Sequence, residues 1–369
     1  MIILAAAIIL SLSNSGIIGK ANKAKTDSDT ANLKEYVNTL RAEWELMTDA
    51  ERTVKANSFE EYANKKLAEN GYKGAVGADG EVYSNLNENV MAVIRAGIKV
   101  GDVVTEYKVE ANTYETSGEE NTAPSETETD PTKQTVTANT KLTWKYLGVN
   151  ANGELEIMAD LGTTEAAANT KVKLSGKGGY LKGPEMLNTI CEKLYSKEGV
   201  GTARSMNIDD VNNILGYTGP KGIYYNNNGN EVKISTALTI GEIDKKLGTS
   251  LGTNTTTPDG KDLGTYYADY YDIDKTSENI KNIANKDLVY NAENTYWLAS
   301  PCVFVFFNIS HATFNVRCVN AANVNANVIF NTYGSSRSFT YAVRPVVKLD
   351  PSVKLTKDAS NANTWNITK

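Results

Sequence analysis

His311 is the only histidine in the chain, and it stands between Cys302 and Cys318, which are 16 residues apart. An imidazole near thiols could activate a nucleophile or ligate a metal, but either chemistry needs further partners. No aspartate or glutamate occurs between Pro301 and Tyr341, so His311 has no orienting acid in its own segment. Ligand contact is the better reading of His311. One histidine also removes most zinc-enzyme arrangements. Cys191 falls on an apolar helical stripe and reads as a buried thiol rather than a nucleophile. Asp269, Asp272 and Asp274 lack the loop spacing and terminal glutamate of a calcium-binding EF-hand. No phosphate loop or dinucleotide motif is present. The chain therefore reads as non-catalytic, with no cofactor and no metal.

A different chemistry is written into the last quarter. Six of the seven phenylalanines lie between Phe304 and Phe339. From Pro301 to Tyr341 there is no Lys, Glu, Gln, Met or Trp. An even spread of the 68 such residues over 369 positions would place seven or eight in that window. Every residue type that is present can be encoded by a codon ending in a pyrimidine, and these five types cannot. β-rich segments are poor in Lys, Glu and Met in any case. Strand propensity does not, however, account for asparagine alternating as Asn323, Asn325 and Asn327 with Val324 and Ala326.

Period-2 alternation sends Ala312, Phe314, Val316, Val319, Val324 and Ala326 to a core. The complementary set is then expected to share one exposed surface: Phe304, Phe306, Asn308, Ile309, His311, Thr313, Asn315, Cys318, Asn320, Asn323, Asn325, Asn327, Asn331, Tyr333, Ser335, Arg337 and Phe339. Rigid aromatics supply contact area there, and amides and hydroxyls supply adaptable hydrogen bonds. Arg317 and Arg344 read as scaffold.

The elements that would position this face are legible upstream. Leu142 to Leu147 and Leu155 to Met158 alternate about an Asn152-Gly153 turn, which is a hairpin signature. Pro184 opens a helix with Leu187, Ile190, Cys191 and Leu194 on one face, ended by Gly199. A second helix runs through Ile208, Val211, Ile214 and Leu215 to Gly216. The apolar strand Val343 to Leu349 needs a partner, and the hairpin is the candidate. Residues 217–290 are turn-rich, with Asn226 to Gly229 and a tyrosine cluster at 266, 267, 270 and 271. Residues 110–140 are rich in Thr and Glu and read as a solvated loop. Thr48 with Glu51, and Ser58 with Glu61, have capping-box spacing, and Gly71 should stop the second helix. A net charge of -6 and a pI near 5.2 exclude a general nucleic-acid binder. At 41% apolar and 22% charged residues, a sizeable core is assured.

At the N-terminus Ile2 to Leu12 is apolar but short of the ~20 residues a bilayer span takes. The pattern continues as an amphipathic helix through Leu33, Tyr36, Val37, Leu40, Trp44 and Met47. The stretch IILAAAIILSLSNSGIIGKANKAKTDSDTANLKEYVNTL resembles the N-terminal helix of type IV pilin-like proteins of Gram-positive bacteria. That resemblance implies a stalk over roughly 2–45, with residues 2–18 meeting membrane or pilin-like subunits. The alternative is a plain amphipathic helix packed on its own domain.

Three frames carry a second resemblance: Tyr296-Trp-Leu-Ala-Ser-Pro301, Ala312-x-Phe-x-Val-Arg317-x-Val319 and Ala342-Val-Arg-Pro-Val-Val347. With LTWKYLGVNANGELEI, VKLSGKGGYLKG, LNTICEKLY and TARSMNIDDV upstream, most of residues 98–349 resembles the C-type-lectin-fold variable proteins of diversity-generating retroelements. In that family reverse transcription randomises adenines in template asparagine codons, yielding the pyrimidine-ending set, while intervening residues stay fixed. Cys302 and Cys318 then read as products of diversification rather than as a disulfide. Formylglycine-generating oxidases share the fold class but need a dedicated cysteine pair unlike this one. The Glu-Pro-Asn, Gln-Pro-Asp and Trp-Asn-Asp motifs of calcium-dependent sugar binding are absent.

The resemblance implies an α+β, C-type-lectin-like (formylglycine-generating-enzyme-like) domain over 98–350, preceded by a long N-terminal helix. The variable segment is 301–341 and the loop 110–140. Residues 1–48 form the pilin-like helix, 49–97 a helical connector and 351–369 a tail. The implied function is a surface-displayed or extracellular binding protein with an unknown macromolecular ligand, most readily a protein, and no nucleic acid. The alternative is a structural minor-pilin-like subunit with a fixed assembly or adhesion role.

Overall fold

A computed structural model describes residues 17–84, 86–120, 128, 130–168, 170–219, 223–225, 231–233, 238–239, 267–268, 271–306, 311–331 and 335–368. The chain divides into two compact units. One comprises Met1–Asp102, Gly148–Leu155 and Pro351–Lys369, and the other Val103–Leu147 and Glu156–Asp350.

In the first unit, α1 (Ile17–Leu46) is followed by α2 (Asp49–Lys55) and α3 (Phe59–Glu69). The hairpin β1 (Gly74–Val76) and β2 (Val82–Ser84) comes next, then α4 (Glu88–Arg95). Thr48 and Glu51 bond reciprocally ahead of α2, the capping box as read; ahead of α3 the Ser58 hydroxyl accepts from Glu61 N, but the Glu61 carboxylate accepts from Asn57 N rather than from Ser58 N. Asn70 caps α3 and Gly71 follows at φ +70, a left-handed turn that ends the helix.

Leu33, Val37 and Leu40 of α1 are buried in one cluster with Phe59, Tyr62, Ala63, Leu67 and Val76. Tyr36 stacks on Tyr72 with ring centroids 4.8 Å apart. The stalk expectation is corrected over this half of the helix, because its apolar stripe is consumed by its own unit. The helix read as part of 1–48 and the connector read as 49–97 thus share one core through Leu33, Val37 and Leu40 on one side and Phe59, Tyr62 and Leu67 on the other. Ile2 to Leu12 lies outside the described residues. Nor is 351–369 a bare tail: Lys354–Lys357 and Thr364–Thr368 pair antiparallel, and the buried Trp365 Nε1 donates to Asp102 Oδ2 at 3.0 Å.

The second unit holds two larger sheets beside two-stranded pairs. The strands that it contributes to the first are β3 (Val103–Thr105), β6 (Trp144–Val149), β7 (Leu155–Ala159), β9 (Gly201–Ser205) and β19 (Pro345–Leu349), in the order β3-β6-β7-β19-β9. Asn152-Gly153 turns the β6–β7 hairpin, with Gly153 at φ +78. The apolar β19 pairs Val346 with Met158 and Val347 with Ile157, so the segments around 142–158 and 340–349 are neighbours as expected. β4 (Thr113–Glu115) and β5 (Thr135–Thr137) form a hairpin inside the stretch read as a loop. Thr and Val at facing positions suit a ladder better than their acidic flanks suggested.

α5 (Gly176–Tyr195) packs against strands of both sheets. It begins eight residues before Pro184, which lies inside it. The glycines of the run Gly176-Lys-Gly-Gly, ahead of the helix start read at Pro184, allow close approach. A Cβ at Gly178 would collide with the Asp130 backbone, and one at Gly179 or Gly183 would press on Leu174. α6 (Ile208–Leu215) has an Asn207–Asp210 capping box and ends at Gly216 with φ +56.

The second sheet contains β8 (Lys171–Ser175), β10 (Ile223–Tyr225), β11 (Glu231–Lys233), β14 (Ile273–Asp274), β15 (Tyr296–Phe306), β16 (His311–Val319), β17 (Asn323–Asn331) and β18 (Ser338–Ala342). Its path runs β11-β10-β15-β16-β17-β14, with β18 beside β15 and β8. β12 (Leu238–Thr239) and β13 (Tyr267–Ala268) pair separately. The α+β class holds. The sequence between 301 and 341 supplies most of the meander β15–β16–β17 and all but the last residue of β18.

Asn64 is buried, donating to Val76 O and accepting from Val76 N at 2.8 Å each. Asn64→Ala orphans both backbone groups, at a cost of about 3 kcal/mol. Hydrogen exchange should report it as roughly a hundredfold loss of protection at the Val76 amide. Unchanged protection would show that this bond pair does not hold β1.

Candidate binding face

β16 is the middle strand of the meander, paired with β15 and β17 along most of its length. On one side Phe314 meets Tyr180 of α5 at 5.2 Å and stacks on Phe330 at 4.4 Å. On the other, the fully buried Arg317 places its guanidinium 4.3 Å over the Tyr271 ring and donates from Nη1 to Tyr271 O at 3.0 Å. Tyr271 stacks on Tyr217 at 5.7 Å and accepts from Asn212 Nδ2 at 2.8 Å. Arg344 is buried too, donating to Ala159 O and to Tyr296 Oη. Both arginines are scaffold, as read.

This double covering corrects three of the expected face residues. Thr313, Asn315 and Cys318 are buried, at 7%, 1% and 1% exposure, beside Phe314, Val316 and Val319 at 0%. Alternation distinguishes two faces but exposes one only when that face is left bare, and here neither is. Asn315 Nδ2 donates to Thr313 O at 2.9 Å, while its Oδ1 has no partner among the described residues.

β17 behaves differently. Val324 is fully buried, whereas Asn323, Asn325, Asn327 and Asn331 are half-buried. Ala326, assigned inward, is half-buried as well. The Cys318 thiol donates to Asn325 Oδ1 at 2.9 Å, and Asn327 Nδ2 donates to the Cys318 sulfur at 3.0 Å and to Tyr341 Oη at 3.2 Å. Tyr341 lies 4.6 Å from Trp297 and 6.0 Å from the half-buried Phe339. Ser335 and Arg337 are exposed. Asn325, Asn327, Tyr341 and Phe339 thus form a linked amide–aromatic group. Tyr341 was missed by the sequence reading, although its two-residue spacing from Phe339 places both on one face.

Two other asparagines are turn-formers. Asn320 Oδ1 accepts from Ala322 N and Asn323 N at 2.9 and 2.8 Å, and Asn331 Oδ1 accepts from Ser335 N at 3.1 Å. Asn323 Nδ2 reaches Asp274 Oδ2 at 2.9 Å in the amide orientation that satisfies both its atoms. Phe304, Phe306 and His311 occupy strand positions whose side chains lie outside the described residues, as do Asn308, Ile309 and Tyr333 entirely. The same applies to Asn226–Gly229 and to tyrosines 266 and 270.

Cys191, Cys302 and Cys318 are free and buried. Among the described residues no group of three or more His, Cys, Asp or Glu side chains is placed to hold a metal ion, and no helix is long and apolar enough to cross a membrane. No family model, curated protein or solved structure matches the chain.

Burial pushes the Cys318 thiol up to about 12, against a smaller opposing pull from the Asn327 amide. The fold therefore favours the protonated thiol. Its contribution is fully present below the ordinary value of 9.0 and is lost as pH rises from there toward 12. Two measurements check this. Excess thiol reagent at pH 8 should label none of the three cysteines in the native protein and all of them in denaturant. Urea unfolding should weaken above pH 9, less steeply in Cys318→Ala; equal slopes would remove Cys318 from the account.

Proposed function

We propose that this chain is a non-catalytic ligand-binding protein, displayed at the cell surface, whose 301–341 segment is diversified through adenine-directed reverse transcription. The carrying observation is the coincidence of a codon-restricted window with one structural unit. No Lys, Glu, Gln, Met or Trp occurs across that window, which supplies most of the meander and nearly all of β18. Partly or fully exposed residues in it, Asn325, Asn327, Ser335, Arg337 and Phe339, are set against a fully buried frame of Phe314, Val316, Arg317, Val319 and Val324. Rigid framing with a changeable rim supports recognition of many ligands, because ordering costs are met by the fold. The C-type-lectin-like reading of the second unit, and an anchoring role for residues 2–18, belong to the same proposal. The ligand is read as a protein surface.

The test is sequencing the gene in a growing population, together with its neighbourhood. A near-repeat of the 301–341 coding segment, differing at adenines and accompanied by a reverse transcriptase gene, is expected. Substitutions should accumulate at Asn325, Asn327, Asn331 and Phe339, and not at Phe314, Arg317 or Val324. A single-copy segment with no such repeat would sink the proposal.

A further inference from the structure

β17 has β16 along one side, and on the other, among the described residues, only β14, joined through Ile273↔Val324 and Asp274↔Asn323. Which way its backbone groups point follows from the preceding turn. Asn320 N donates to Asn323 O at 3.0 Å. Antiparallel alternation then turns the N–H and C=O of Asn325 and Asn327 toward β16, and those of Val324, Ala326 and Val328 away. Lys275 N donating to Ala322 O at 2.8 Å agrees with that direction. A register shift opposite Phe314 and Asn315 makes Ile329 an extra, bulged residue, so its carbonyl also faces outward and accepts from Arg337 N at 2.8 Å. In between, the backbone groups of Ala326 and Val328 have no hydrogen-bond partner among the described residues.

The opening is a defined slot, closed at both ends, of roughly 17 Å between Val324 and Ile329 at the usual strand rise. One other edge of this unit is covered. On β9, Ala203 N donates to the Ser196 hydroxyl at 2.8 Å and Ser205 N to Asn188 Oδ1 at 3.0 Å, with α5 packed alongside. Among the described residues the slot has no such cover, and Asn325 to Val328 offers none of the lysines or prolines that usually guard an edge.

We propose that this slot receives an extended peptide segment of a protein ligand, which pairs with Ala326 and Val328 as an added strand. The proposal rests on the binding-face reading and gives its ligand a class. Alternating donors and acceptors at strand spacing are the signature of polypeptide backbone. The flanking Asn, Ala and Val side chains carry no charge, so neutral, small or hydroxyl-bearing peptide residues fit beside them. Affinity then comes from a fixed backbone edge, and selectivity from Asn325, Asn327 and Phe339 at its side.

The experiment selects binders from a displayed library of random seven-residue peptides. Enriched peptides are resynthesised with each backbone nitrogen methylated in turn. Methylation at alternate residues should weaken binding roughly tenfold or more per bond, and methylation between them should not. Ala326→Pro should weaken the same peptides, and peptide should slow amide exchange at Ala326 and Val328. The methyl series leaves the protein untouched, so it decides the question even if Ala326→Pro does not fold. Failure to enrich any peptide, or indifference to methylation at every position, overturns the slot. A concentration-dependent dimer dissolved by Ala326→Pro would also overturn it, assigning the edge to a second copy. If Asn327→Ala and Phe339→Ala weaken binding while methylation does not, the face stands and the strand mode falls. If no variant matters, both fall.

Discussion

The buried guanidinium of Arg317 is the commitment around which the second sheet is arranged. A charge at 0% exposure costs several kcal/mol unless its donors and its positive field are answered. Tyr271 answers twice, with its carbonyl and with its ring, and Tyr271 must then be held in turn. Tyr217 stacks on it and Asn212 of α6 bonds its hydroxyl. One strand position thereby fixes a neighbouring segment and a helix, and β14, which follows Tyr271 at once, is brought to the first residues of β17. Where that chain of requirements ends, past Val324, the edge of β17 opens.

Arg344 is the corresponding pin between the two sheets of the unit. It bonds the end of β7 through Ala159 O and the start of β15 through Tyr296 Oη. Tyr296 itself donates to Val289 O at 3.1 Å. On β9, Arg204 is held by Asp210 at 2.6 Å and Glu156 at 3.0 Å. α5 packs against strands of both, helped by the missing Cβ atoms of Gly178, Gly179 and Gly183. The frame therefore rests on a few directional contacts as well as on apolar burial, and a change at Arg317 or Arg344 would leave buried acceptors without donors.

Much of this was readable in sequence, and the exceptions have physical causes. Caps, hairpin turn and apolar helix stripes were legible because they are local, set by a side chain and a backbone group three residues away. The frame arginines stood out because charges surrounded by Val, Ala and Pro must be satisfied. Lost to reading were features decided by distant chain. Pro184 reads as a helix start, while the glycines that carry the helix back to Gly176 are explained only by the Asp130 backbone and Leu174 beside them. Leu33, Val37 and Leu40 spell a stalk until Phe59 and Leu67 close over them. Thr313, Asn315 and Cys318 alternate with apolar residues, as an exposed face would, yet a covering from both sides leaves no trace in period. Tyr341 was hidden by lying at the margin of the window.

The same distinction decides what diversification can sample. Replacing a fully packed residue such as Phe314 or Val316 costs about 2–5 kcal/mol through lost transfer energy and the cavity left behind. That is a large share of the 5–15 kcal/mol by which a typical domain is stable. Changes at partly exposed positions away from such packing usually stay near 0.5 kcal/mol. Asn325 and Asn327 fall between these limits, since their amides are spent on Cys318 and Tyr341. A replacement there alters the rim and also takes from the buried Cys318 sulfur its acceptor, at Asn325, or its donor, at Asn327. Variation at these two positions is therefore coupled to residue 318, and the face can explore ligand chemistry freely only in combinations that keep that thiol satisfied.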